Sequence, residues 1–330
     1  MSTPTPDAHA EVGLFRPEDP CLHEQAVRPW ELLNTPMERG YAFSMTYIKS
    51  PELVVYLEEY GSTMRLRGLA PPGKLVVSVP VTLMPDTLFW RSSLKQAGLH
   101  CMLPGEIDAQ CVRGQRHIIL LIDLNLLPRH LDTPVLEILR CRAQSRFLPA
   151  HPEQVSAFGY WLTNLLRQAQ QNPGMFGYPG VIQSLQEDVI HRLSRMVNLE
   201  NAGNRLSLRV NKSMKGLRRA LEFMHAHQGE RIAMPELCGK IGVSQRSLER
   251  AFQATFDMTA CSYLRRQRFS EARLALMLAR PGEQSVSQIA YRHGFYELGH
   301  FAVHYARLFG EKPSATLANE SPRLTSPLLA

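Results

Sequence analysis

The segment from Ser244 to Arg250, SQRSLER, holds the densest set of side chains able to do chemistry in this sequence. Arginine presents a planar fork that can pair with O6 and N7 of guanine. Glutamine can pair with adenine, and glutamate can accept from the cytosine amino group. Gln245, Arg246, Glu249 and Arg250 are therefore candidate base readers. Ser244, just ahead of them, can accept from the free amides of a following helix. Arg265, Arg266 and Arg268 add positive charge nearby, and His300 and His304 can reach phosphate oxygens. These groups suit the recognition of a polyanion rather than the making and breaking of bonds.

The surrounding pattern supplies elements to hold them. Leu237, Ile241 and Val243 are apolar around Gly242, and Leu248, Ala251, Phe252 and Phe256 follow. Glycine suits a tight turn where larger side chains are excluded. Leu248 and Phe252, four residues apart, share one inward face and leave the candidate readers outside. A short helix, a glycine turn and a capped second helix are the parts of a helix-turn-helix. The plan recurs: Val286, Ile289 and Ala290 lead to a turn at Gly294 and Phe295. A second apolar face follows at Leu298, Phe301, Ala302, Tyr305 and Phe309. Between the units, residues 259–279 read as one long helix in which Leu264, Ala272, Leu274, Leu276 and Leu278 alternate with Arg265, Arg266, Arg268 and Arg273. Pro281 and Gly282 end it. In the second unit the outward positions Leu298, Gly299, Ala302 and Val303 offer no side-chain hydrogen bond. His293, beside the turn, reads as a phosphate contact or an exposed residue.

Charge follows the same division. Residues 205–330 hold 19 Lys and Arg against 10 Asp and Glu, a net of +9; residues 1–204 hold 18 against 20, a net of −2. A basic half beside a near-neutral one implies a polyanionic partner. No GxSxG, Walker A, GxGxxG or HExxH pattern is present, so an enzyme is not expected, nor are a cofactor or a metal. His100, Cys101, Glu106 and Cys111 are close in sequence but read better as ordinary loop residues than as metal ligands. The six cysteines include no CxxC pair and read as reduced thiols. The start, MSTPTPDAHAEVG, lacks the basic-then-apolar order of a signal peptide, and no apolar run approaches the roughly 18 residues of a membrane span. A cytoplasmic location without membrane contact is expected.

The first two-thirds of the chain read differently. Residues 1–40 carry six prolines and little periodicity and read as a loose arm. Strands are expected at 42–48, 53–60, 74–83, 87–92 and 117–124, with turns at 68–74 and 103–109. Short strands between turn signals suggest a sandwich or barrel. The barrel aromatics Phe43, Tyr47, Tyr56, Phe89 and Trp90 read as core, although a barrel mouth is a natural site for a small ligand. Val155, Phe158, Leu162, Leu165 and Ala169 mark an amphipathic helix. A second stripe, Ile182, Leu185, Val189 and Met196, is interrupted at Arg192 and fits either a dimer seam or docking on the chain's own barrel.

At SQRSLERAF (244–252), SYLRRQRFSEARLAL (262–276) and SVSQIAYRHGFYELGHFAVHYARLFGEKPS (285–314), the sequence resembles the DNA-binding domain of AraC/XylS-type transcription regulators. The likeness covers about 217–318. Upstream, TYIKSPELVVYLEEYGS (46–62) is weakly similar to ethanolamine-operon regulators. The resemblance implies an α+β chain: an N-terminal β-barrel-like, cupin-like sensor domain with a helical hairpin, and a C-terminal all-α domain of seven helices with two helix-turn-helix units. It implies double-stranded DNA and RNA polymerase as partners, a small-molecule effector, a homodimer and activation of transcription. The expected organisation is an arm (1–40), an effector and dimerisation domain (41–200), a linker (201–207), a DNA-binding domain (208–320) and a tail (321–330). The alternative is a barrel-type enzyme or sensor whose basic helical domain binds a protein partner.

Overall fold

A computed structural model describes residues 10–17, 19–38, 40–90, 92–93, 98–197, 212–227, 230, 232–279 and 284–318. The expected linker at 201–207, the helix stop at Pro281 and Gly282, and the tail at 321–330 lie outside the described residues. The chain divides into two compact units between Leu208 and Arg209.

In chain order the first unit begins with β1 (Glu11–Phe15), α1 (Pro20–Ala26), β2 (Glu31–Pro36), β3 (Phe43–Lys49), β4 (Leu53–Tyr60), β5 (Met64–Leu69) and β6 (Lys74–Thr82). It continues through β7 (Leu88–Phe89), β8 (Ser92–Ser93), β9 (Gly98–Met102), β10 (Glu106–Cys111) and β11 (Arg116–Asp123). It ends in α2 (Leu127–His130), α3 (Thr133–Gln144), β12 (Phe147–Pro149), α4 (Pro152–Gln171), a 3-10 turn (Pro173–Gly177) and α5 (Pro179–Ser194). The strands form a seven-stranded sheet, ordered β1-β3-β4-β11-β6-β9-β12, and a five-stranded sheet, ordered β2-β5-β10-β7-β8. Described neighbours are antiparallel throughout.

Burial explains which strands the sequence announces. The central strands of the larger sheet are covered on both faces and so read as continuous apolar runs. On β11, Ile118, Leu120 and Ile122 pack against the helices, while Ile119 and Leu121 face the space between the sheets. The smaller sheet has one wetter face. Arg65 and Arg67 on β5 meet Asp108 on β10 there, at 3.0 and 3.7 Å, and no apolar run marks either strand. The turn expected over 103–109 accordingly gives way to β10 from Glu106. Gly68 is required at the β5–β2 crossing: its φ is +152°, and a Cβ there would stand 1.8 Å from the Glu31 carbonyl oxygen.

The loose arm is a second correction. Residues 11–36 supply an outer strand to each sheet and a helix between them. The prolines fit this: Pro20 starts α1, where a missing N–H costs nothing, and Asp19 caps that helix by accepting from the Cys21 amide at 2.7 Å. A third correction concerns the stripe on α5. Ile182, Leu185, Val189 and Met196 are all buried in the core that joins the helices to the larger sheet. Docking on the chain's own sheet uses up that face, so these four cannot form a dimer seam.

The inner core between the sheets is not wholly apolar. Glu58 on β4 and His117 on β11 are register partners, and Glu58 Oε2 lies 2.7 Å from His117 Nε2. The Tyr60 hydroxyl donates to the same oxygen at 2.8 Å. Burial opposes ionisation of Glu58, but His117 and Tyr60 outweigh it and hold the carboxyl below its usual range. His23 of α1 stacks on Phe43 with centroids 3.8 Å apart, and burial pushes its ring down to about 4.

The second unit is helical: α6 (Lys212–Ala226), α7 (Met234–Ile241), α8 (Gln245–Phe256), α9 (Ala260–Leu278), α10 (Val286–Arg292), α11 (Leu298–Phe309) and α12 (Pro313–Ala318). These are the seven helices that the resemblance implies, counted among the described residues.

Candidate nucleic-acid interface

The first pair of helices is built from local signals. α7 stops at Gly242, which takes a left-handed conformation with φ +66°. A Cβ at Gly242 would meet nothing within 4 Å, so backbone conformation rather than space selects glycine. Ser244 caps α8: its Oγ accepts from the Ser247 amide at 3.2 Å. Leu248, Ala251, Phe252 and Phe256 are buried, and Phe252 and Phe256 pack on Tyr263 of α9 with centroids 5.2 and 4.5 Å away. That burial fixes the outward face. Gln245, Arg246 and Arg250 are exposed, and neither guanidinium has a partner among the described residues.

Glu249 departs from its expected role. It is half-buried, and its Oε2 accepts from the Ala260 amide at 3.1 Å. A carboxylate at the first turn of α9 meets the free amides and the positive end of the helix dipole. Glu249 is thus a clamp between α8 and α9, not a base reader. Burial and this carboxylate together raise the Cys238 thiol above its ordinary value.

The basic connector is also more selective than its sequence suggests. Arg265 is exposed, with its guanidinium 5.9 Å from the Phe269 ring centre. Arg266 is half-buried. Arg268 is half-buried too, and donates to the Glu230 carbonyl at 2.6 Å. Arg273, the last arginine of the alternating run, is buried. Its Nη1 lies 2.9 Å from Glu311 Oε1 and donates to the Tyr305 hydroxyl at 3.2 Å, while its guanidinium sits 4.7 Å over Phe309. Tyr305, pushed up to about 12 chiefly by burial, keeps its proton and donates to Thr316 Oγ1 at 2.8 Å. This network joins α9, α11 and α12.

The second pair repeats the plan with its caps exchanged. Here the first helix is capped: Ser285 Oγ accepts from the Gln288 amide at 3.2 Å, and Gln288 Oε1 accepts from the Ser285 amide at 2.8 Å. The second helix, α11, follows Glu297, whose side chain makes no cap. Gly294, with φ +78°, makes the turn. Phe301 and Tyr305 are buried, and Phe301 stacks on Phe269 at 5.6 Å. Leu298 packs half-buried against the same core, so it is not an outward residue. Val303 is 68% exposed and Gly299 is exposed beside it. Of the two histidines expected to meet phosphate, His300 is exposed but lies 3.0 Å from Glu297 Oε2. His304 is half-buried, 6.4 Å from the Phe269 ring. His293 does not stand free either: its Nδ1 is 3.7 Å from Glu271 Oε2.

The geometry thus brings Ser244, Gln245, Arg246 and Arg250 together at one helix N-terminus, with Arg265 exposed on the connector. It withdraws Glu249, Arg268 and His304. Among the described residues, no three of His, Cys, Asp and Glu gather as a metal cage, and no helix is long and apolar enough to cross a membrane.

Residues 237–319 match the helix-turn-helix domain family. A probable thc operon regulatory protein of Rhodococcus erythropolis is 35% identical over 101 residues, which is 31% of this chain and 30% of that protein. A XylDLEGF operon transcriptional activator of Pseudomonas putida is 30% identical over 120 residues, 36% of this chain and 37% of that protein. The match therefore spans about a third of the length of these curated relatives. Among solved structures, a probable AraC family transcriptional regulator from Rhodopseudomonas palustris CGA009 is 32% identical. That alignment covers 32% of this chain and 98% of that one, with a TM-score of 0.30.

Proposed function

With a helix-turn-helix domain of the AraC/XylS type as its C-terminal unit, this chain is, we propose, a sequence-specific DNA-binding transcription regulator. One observation carries the reading. A glycine turn and a serine cap hold α8 so that Gln245, Arg246 and Arg250 stand exposed and unpaired at its N-terminal end. A helix that enters the major groove reads bases from its N-terminal residues. Arg246 and Arg250 are the base readers, assisted by Gln245. Ser244 positions the helix and Arg265 meets phosphate. Leu248 and Phe252 are the internal anchors that set the direction of these side chains.

The rest of the reading follows from the two-part organisation. The first unit receives a signal, and the second binds DNA and, as an activator, meets RNA polymerase. The chain acts in the cytoplasm as a homodimer, through a surface other than the buried face of α5. It performs no catalysis. The supporting features are the +9 net charge beyond residue 204 and the enclosed, partly polar core of the first unit.

The test is capture of genomic fragments by the full chain, followed by sequencing and titration at several salt concentrations. Counterion release predicts an affinity loss of about 10³ to 10⁵ between 50 and 200 mM salt for six to ten phosphate contacts. A folded chain that retains no DNA at low salt would remove this function.

A further inference from the structure

A second cluster of underused polar groups lies in the first unit, at the end of the inner core near β7. Arg146 precedes β12 and places its guanidinium 4.6 Å from the centre of the Trp90 ring. It is half-buried, and it has no hydrogen bond or ion pair among the described residues. Burial lowers the pKa of Arg146, and the charge of Glu106 opposes that shift. His100, on β9, lies with its ring nearly parallel to the same indole, at an interplanar angle of 10° and a centroid distance of 5.8 Å. Both His100 ring nitrogens are sealed from solvent without a partner. Burial pushes its ring down to about 4, so at neutral pH it carries one N–H and no charge. His117, whose other nitrogen meets Glu58, has its Nδ1 buried and unpartnered. The ring of Phe89 lies 4.4 Å from His100 and 6.0 Å from His117.

The backbone converges on the same place. Among the described residues only three non-glycine positions have a positive φ, and two of them are Trp90 at +50° and Arg146 at +63°. Such conformations are unfavourable for residues with a side chain and persist where the surrounding structure enforces them. For Trp90 the enforcement is visible: its amide donates to the Asp108 carbonyl at 2.6 Å and its indole N–H to the Glu106 carbonyl at 3.0 Å. Arg146 is held next to Phe147, which pairs with His100 in register. Buried polar groups without partners are rare in folded proteins and each calls for an explanation.

We propose that Arg146 and His100, with the Trp90 ring between the β7 and β12 ends as a wall, bind the carboxylate of a small organic acid with a flat apolar body. The guanidinium fork matches a planar carboxylate, and the His100 N–H supplies a further donor. Phe89, Trp90 and Phe147 suit a flat body. A single negative charge fits best, because the carboxylates of Glu106 and Glu58 lie close enough to act on Arg146 and His117. The link from this ligand to transcription rests on the reading of the first unit as the sensor; the binding chemistry does not.

Calorimetric titration of the full chain tests the site, with phenylacetate, indole-3-acetate and 3-phenylpropionate as probes. Their neutral carboxamides and phenyl phosphate serve as contrasts. At least one carboxylate is expected to bind saturably, one per chain, and at least about tenfold more tightly than its carboxamide. Arg146→Met should weaken that binding about tenfold or more, Arg146→Lys by less, and Arg167→Met on the exposed face of α4 should not change it. If Arg146→Met does not fold, His100→Leu gives the same comparison. Equal binding of acid and amide, tighter binding of phenyl phosphate, no binding of any carboxylate, or an unchanged affinity in the Arg146 variants would each overturn the proposal. Arg146-dependent binding that leaves DNA affinity unaltered would retain the site and remove the sensor reading.

Discussion

The two helix-turn-helix units share an interior and differ on the outside. Each closes its turn with a left-handed glycine, at Gly242 and Gly294, and each buries an aromatic pair on its second helix, Phe252 with Phe256 and Phe301 with Tyr305. The outward faces have diverged. α8 presents Gln245, Arg246 and Arg250, whereas α11 presents Gly299, His300 and Val303. The caps have diverged as well: Ser244 caps the outward-reading helix of the first unit, and Ser285 caps the supporting helix of the second. Packing therefore specifies where a helix stands, and a separate set of residues specifies what it can read. On the proposed function, that division predicts a stringent first unit and a second that reads shape or thymine methyls, because the exposed Gly299 and Val303 cannot hydrogen-bond to a base edge and His300 lies against Glu297.

The largest expected effect breaks the scaffold of the second unit alone. Arg273→Met removes the buried cation that binds Glu311, Tyr305 and Thr316 and strands the acidic partner. It should destabilise the helical unit by about 3 kcal/mol in urea titration. A loss within experimental error would mean that this network does not hold α11 and α12. Next in size is Arg246→Ala, which should cost about 1–3 kcal/mol of operator affinity and relax one position of the first half-site. An equal loss on every sequence would reassign Arg246 to phosphate.

The exchanged caps give a smaller contrast. Ser244→Ala should destabilise the helical unit by about 1 kcal/mol, while Glu297→Ser, which installs the cap that α11 lacks, should stabilise it by up to about 1 kcal/mol. Thermal denaturation of both variants checks the pair, and changes of the same sign would deny the asymmetry. Smallest of all is Val303→Ala. Although it trims the most exposed apolar side chain of α11, it should shift operator affinity by less than about 0.5 kcal/mol, by electrophoretic mobility shift.

What the sequence could disclose follows the range of the interactions. Gly242 and Ser244 act within their own turn and cap, and Leu248 and Phe252 share one face by their spacing of four, so their pattern announced the turn, the cap and the inward face. Arg273 and Glu249 depend on partners 38 and 11 residues away, Glu311 and Ala260. No local spacing distinguishes them from solvated charges. The apolar stripe on α5 declared that something covers it, but one stripe cannot say whether the cover is a second copy or the chain's own sheet. In the smaller sheet, β5 and β10 alternate charged with apolar residues and resemble loops, although Arg65 and Asp108 are paired there. The polar cluster around His100 stayed hidden because strand pairing and not sequence proximity assembles Trp90, His100 and Arg146.

The unequal reading by the two units is tested most directly by selecting binding sites for the full chain from random DNA and aligning the recovered sequences. The account predicts one half-site with fixed bases, guanine among them, and a second that tolerates substitution, enriched in thymine or specified only by groove shape. Recovery of a second half-site as stringent as the first, with its fixed bases lost on Val303→Ala but kept on Arg246→Ala, would contradict it.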